Sequence, residues 1–175
     1  KRLVRMHGDK IRFCHEWGSW LIWDGQRWSR DRSGVIYEFA KEMAREIYTE
    51  AMQEEDADRR KALARWASAS ESVARIKACV ALAQSDTEYG IPVLPEQLDA
   101  DPWLLNCENV TINLRTGEVR DHRREDMLTK IARVKYDSAA QCPKFLSFTD
   151  RIFGSSKGVI NYVQKVLGSC LTGSV

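Results

Sequence analysis

The chain has 175 residues and a formal net charge of +2. That length suits one domain or two small subdomains sharing a core, and that charge gives no whole-chain field to draw a polyanion. No apolar run approaches the roughly 20 residues that cross a bilayer, and no signal-peptide pattern is present, so no membrane partner is expected. Five scattered cysteines (Cys14, Cys79, Cys107, Cys142, Cys170) include no C-x-x-C pair and read as the reduced thiols of a cytoplasmic protein.

Residues 1–32 are expected to form a small aromatic β-rich subdomain. Leu3 to Met6 close a short helix before Gly8, and Ile11 to Cys14 alternates as a strand does. Trp20 to Trp23 and Gln26 to Trp28 flank Asp24-Gly25, a strong hairpin signal because both turn residues tolerate positive φ. Trp17, Trp20, Trp23 and Trp28 lie among Arg12, Arg27, Arg30 and Arg32. Two readings stand: a base-stacking platform, or the core of a small sheet on a helix, which large aromatics usually dominate.

Residues 33–84 read as a helical segment. Ile36, Phe39, Met43 and Ile47 recur at helical spacing behind a Ser33 cap. The acidic run Glu54 to Asp58 is a solvated loop or a helix start. Beyond it Ala62, Trp66, Ala69, Val73, Ile76, Val80 and Ala83 make one narrow apolar seam, as in a helical hairpin. Ser68 and Glu71 fit a capping box, so either one long helix or two in sequence with a break at Ser68 are expected. Residues 85–102 form a connector, where Gly90, Pro92 and Pro95 prevent regular helix.

Residues 103–175 read as a β-hairpin followed by helices. Val110, Ile112 and Leu114 alternate on a half-buried strand, Gly117 makes the turn, and Glu118 to Arg120 returns. Lys130 to Tyr136 alternates as a third strand. Pro143 opens a helix through Phe145, Phe148 and Ile152. Gly154-Ser155-Ser156 interrupts, and a last helix uses Val159, Val163, Val166 and Leu167 with Gly168 as its stop. The fold class is therefore α+β, mostly helical: a helical hairpin plus small antiparallel β-hairpins, closing with two short helices.

No catalytic constellation emerges. Gly154 to Gly158 lacks the second half of a phosphate loop and reads as an interhelical connection. His7, Cys14, His15, Cys107, His122 and Cys142 never form two short ligand pairs, so no metal site is expected. Between Arg115 and Lys135, seven cations face four carboxylates. Such an excess can track a phosphate backbone or form an ordinary solvated, ion-paired face. Arg120, Arg123, Arg124 and Lys130 are the contact candidates, while Asn106, Asn109 and Gly117 are expected to hold the hairpin's shape.

Leu105-Asn106, Asn109, Leu114, Thr116-Gly117-Glu118, Arg124-Glu125-Asp126 and Thr129-Lys130 resemble, in order and spacing, the domain preceding the ATPase in phage- and plasmid-type primase–helicases of superfamily 3, the poxvirus-like replicative helicases. Trp66, Ser70-Glu71, Tyr136-Asp137, Cys142-Pro143 and Tyr162 through Gly173 extend the resemblance to residues 60–173. Val110 stands where the family has glycine, which argues against a tight turn before the strand, and Asn113 replaces an aspartate.

The resemblance implies a non-catalytic linker or collar domain of a phage or prophage DNA primase–helicase, located in the cytoplasm of a bacterial host. Its implied partners are single-stranded or forked DNA, the adjacent primase and helicase domains, and its own subunits in a hexamer. No cofactor is expected here; ATP and magnesium would belong to an ATPase domain beyond. Lys1 at the start and the LTGSV ending read as a piece of a longer protein. The alternatives are a stand-alone single-stranded nucleic-acid-binding module and a fragment with primase activity.

Overall fold

A computed structural model describes residues 1–173, and the chain falls into two compact units, Lys1–Leu98 and the residues from Asp99 onward. Six α-helices and two small sheets among the described residues make the fold α+β and mostly helical.

The first unit opens with α1 (Arg2–His7), then β1 (Ile11–Cys14), β2 (Ser19–Trp23) and β3 (Trp28–Arg30). Antiparallel pairing sets Ile11 opposite Ile22 and Phe13 opposite Trp20, which puts all four side chains on one face. That face meets Leu3 and Val4 of α1, Ile36, Ala40 and Met43 of α2 (Val35–Gln53), and Ile76, Val80 and Ala83 of α4 (Val73–Ala83) in one buried cluster. Between them, α3 (Ala57–Ser70) packs chiefly on α2.

Several local expectations change. Trp23 pairs with Trp28, so Asp24–Arg27 is a four-residue loop rather than a two-residue turn. Gly25 takes φ +99°, and the Asp24 carboxylate accepts the amides of Gln26 and Arg27. Ser33 does not cap α2: Gly34 holds the cap position at φ +80°. The Asp31 carboxylate accepts from the amides of Ser33, Gly34, Val35 and Ile36 at 2.7–3.2 Å. One carboxylate thus satisfies most of the amides that a helix start leaves open. The break after α3 falls at Glu71–Ser72, not Ser68: Ser72 turns extended at the cap position of α4, and the Glu71 carboxylate accepts from the Tyr48 hydroxyl (3.2 Å). That break shifts the helical phase. Ile76, Val80 and Ala83 reach the core, while Trp66 and Val73 of the expected seam stay exposed and α3 buries Ala67.

The connector also contains an unforeseen strand. β4 (Pro92–Val93) lies parallel to β1 at the sheet edge, completing the order β3-β2-β1-β4. Proline cannot donate to a ladder, which hides such a strand from a propensity reading, yet an edge tolerates it.

The second unit holds the antiparallel sheet β5 (Leu104–Asn106), β6 (Thr111–Asn113) and β7 (Val119–Arg120). Despite Val110, residues 107–110 close a tight connection, with the Cys107 amide donating to the Val110 carbonyl at 2.8 Å. Gly117 makes the second turn at φ +76°. Residues 130–136 form no strand. A single parallel bridge joins Cys107 and Ala132, and the Val134 amide folds back onto the Ala132 carbonyl (2.8 Å), which ends the extension. Two helices close the unit, α5 (Pro143–Ile152) and α6 (Lys157–Ser169), joined through Gly154 and Ser155 at positive φ. Pro143 opens α5 as expected, while Gly168 lies inside α6 rather than at its stop.

Candidate nucleic-acid interface

The tryptophan-rich hairpin splits its aromatic side chains between two jobs. Trp20 is buried in the main core, 5.0 Å from the Phe13 ring. Trp28 is fully buried on the other face of the sheet, with the Arg12 guanidinium 4.8 Å from its ring and Trp23 tilted against it at 5.7 Å. Arg30 covers Trp17 at 4.5 Å. Cations stacked on rings in this way gain from the ring quadrupole and close those faces to a base. The hairpin is a second small aromatic core.

In the second unit the framework around the basic arm is polar. Asn106 is buried; its Nδ2 donates to the Lys130 carbonyl (3.0 Å), and its Oδ1 accepts from Thr111 Oγ1 (3.2 Å). Thr111 Oγ1 also lies 3.2 Å from His122 Nδ1. If Thr111 donates to Asn106, the ring must donate through Nδ1–H, which leaves His122 Nε2 as a buried atom without a partner. Asn109 brackets Tyr136, donating to its carbonyl and accepting its amide. Asn113 Oδ1 accepts the amides of Arg115 and Thr116, a role that an aspartate would fill equally. The asparagines and Gly117 thus hold the hairpin.

The four contact candidates do not share one environment. Arg120 is locked by a bidentate pair with Asp126 (2.7 and 2.8 Å), and both side chains are largely covered. The hydrogen-bonded carboxylate raises the Arg120 pKa above its ordinary value. Such fork-to-fork geometry is strong and specific, and it takes Arg120 out of contention for a phosphate. Lys130 is 86% exposed, with Nζ 3.8 Å from Asp99 Oδ2. Asp99 also receives the Thr129 amide and hydroxyl (2.7 and 2.6 Å), pinning the chain just before Lys130. Arg124 sits on a short 3₁₀ turn, Arg124–Asp126. Arg123 is exposed and makes no ion pair among the described residues. Ion pairing within the arm is one of the two readings of its charge, and Arg120 with Asp126 realises it; Asp99, outside the arm, is the partner that sequence reasoning missed. The available signal was an acidic excess: seven carboxylates against four arginines from Asp99 to Asp126.

A cleft of about 340 Å³ adjoins Lys130, but Asp99 and Asp101 line it, and two carboxylates repel a phosphate. Burial raises the thiol pKa values of Cys79 and Cys107, which disfavours their thiolate forms. All five cysteines are free. Among the described residues no group of three His, Cys, Asp or Glu side chains is arranged to hold a metal ion, and no helix is long and apolar enough to cross a membrane.

A family model described as D5 N terminal like matches residues 1–154. The chain belongs to this family. The D5 N-terminal-like match takes in the aromatic sheet, the helical segment, the polar hairpin and α5, and so begins well before the point from which the sequence motifs are distinctive. The family is the N-terminal region of D5-like primase–helicase proteins of phages and viruses. No curated protein matches the chain.

Proposed function

We propose that this D5 N-terminal-like chain is a non-catalytic linker or collar domain that supports ring assembly and DNA engagement in a superfamily 3 primase–helicase. The observation that carries the reading is the family match across 154 residues, joined to a hairpin whose titratable groups serve structure. Arg120 is spent on Asp126, Asp99 on Thr129, and His122 on Thr111. A priming centre would instead need converging carboxylates that hold two metal ions. In this reading ATP and magnesium act in a neighbouring ATPase domain, the partners are single-stranded or forked DNA and further copies of the chain, in a hexamer, and the setting is the cytoplasm of a host cell carrying a phage or prophage. The aromatic hairpin supports the structural side of this division, since its rings are covered by arginines.

The test pairs two assays on the same chain. Incubation with a single-stranded template, magnesium and labelled nucleotides is expected to give no primer. A labelled oligodeoxythymidylate is expected to bind with an affinity that falls as salt rises. Primer synthesis would overturn the non-catalytic assignment, and absence of binding at low salt would overturn DNA engagement.

A further inference from the structure

Charge is segregated along the second unit. From Asp99 to Asp126 carboxylates outnumber arginines seven to four, whereas from Arg133 to Lys165 six cations face two carboxylates. Those six, Arg133, Lys135, Lys144, Arg151, Lys157 and Lys165, are all exposed, and none makes an ion pair among the described residues. The contrast with Arg120, held by Asp126, is direct.

The helices α5 and α6 add a second feature. Residues three and four apart share a helix face. Phe148, half-exposed, follows Lys144 by four positions and precedes Arg151 by three, so one flank of α5 presents an aromatic ring between two cations. On α6, Tyr162 is 69% exposed and precedes Lys165 by three. An exposed ring beside unpaired cations is the arrangement that holds a single strand, with bases stacked on the ring and phosphates on the cations. In the first unit the rings already carry arginines as lids.

We infer that this chain contacts DNA through the α5 flank formed by Lys144, Phe148 and Arg151, with Tyr162 and Lys165 of α6 as a second contact, and that its ligand is a single-stranded nucleic acid. The inference rests on the DNA-engagement part of the proposed function and moves its location from the hairpin arm to the helical pair. Complementarity with a polyanion selects this occupant. A second copy bringing the same flank would set like charges together, which is unfavourable.

The test is fluorescence anisotropy of labelled oligodeoxythymidylate over a salt series, with helicity of each variant checked by circular dichroism. Lys144→Gln with Arg151→Gln removes two phosphate contacts and is expected to flatten the log K against log salt slope by about 1.4. Phe148→Ala is expected to weaken binding about tenfold with the slope unchanged, since stacking releases no counterions. Arg123→Ala with Arg124→Ala is expected to change affinity less than about twofold. Wild-type binding that survives the helix variants but is lost in the arm variant overturns this location and leaves DNA engagement standing. No wild-type binding overturns both. Sedimentation showing self-association that Phe148→Ala abolishes, without any DNA binding, would assign the flank to a second copy and also overturn the inference.

Discussion

The two units are stabilised by different means. In the first, the sheet, α1, α2 and α4 enclose one apolar cluster, and Arg12 and Arg30 sit over tryptophan rings. In the second, few apolar side chains are fully covered, Cys107, Ile112 and Leu128 among them, and shape comes from side chains that capture backbone groups: Asn106, Asn109, Asn113 and Asp99. Apolar burial is non-directional and tolerates modest repacking, whereas a buried polar network fails when one member is removed. The first unit should therefore respond to lost volume, and the second to lost hydrogen bonds.

The largest effect should follow Trp28→Ala, which empties a fully buried site beneath Arg12 and Trp23. A loss of about 3–5 kcal/mol is expected in urea unfolding followed by far-ultraviolet circular dichroism. Arg120→Ala should come next, at about 2–3 kcal/mol, because it strands the covered Asp126 carboxylate. Arg120→Ala with Asp126→Ala should recover part of that loss, and a double variant no better than the single one would remove the pair from the account. Asp31→Ala should cost about 1–2 kcal/mol by releasing four amides at the start of α2, with Asp31→Asn retaining much of the stability.

The smallest effect concerns pH. His7 is buried against Phe39 (ring centroids 4.4 Å, nearly parallel), and burial lowers its pKa below 6.5, with Glu42 and Asp9 opposing and Lys10 assisting. A histidine with a depressed folded pKa binds fewer protons folded than unfolded. Its contribution is therefore intact above about pH 6.5 and is lost as the pH falls through that value toward the folded pKa. The melting temperature should drop between about pH 7 and pH 5, and His7→Phe, which keeps the stacked ring, should reduce that dependence.

The sequence carried the parts of the fold that local pattern controls. Alternation located β1 and β6; the apolar run before Asp24-Gly25 located β2; helical spacing located α2; Pro143 marked the start of α5; and Gly117 marked its turn. Tertiary context decided the rest. β4 exists because β1 offers an edge to a proline-bearing segment, which no local rule anticipates. The alternation of Lys130 to Tyr136 is real in sequence, but Asn106 and Asn109 hold the chain at Ala132 and Tyr136 and prevent a ladder. The apolar seam from Ala62 to Ala83 divides because the chain leaves the helix at Glu71–Ser72, which puts α3 and α4 out of phase.

The basic arm shows why a charge count needs its partners. Arg120 sits six residues before Asp126, a separation at which sequence gives no reason to pair them, yet β7 and the following 3₁₀ turn bring them within 2.7 Å. Extending the same count past Lys135 into α5 and α6 would have found cations with fewer acidic neighbours.

The most direct measurement of the central claim is sedimentation velocity of the chain with and without a forked DNA that has a single-stranded tail, in the absence of nucleotide. A domain that supports ring assembly and engages DNA predicts a protein–DNA species larger than one chain per DNA, diminishing as salt rises. A chain that stays monomeric and sediments independently of the DNA at low salt would contradict it.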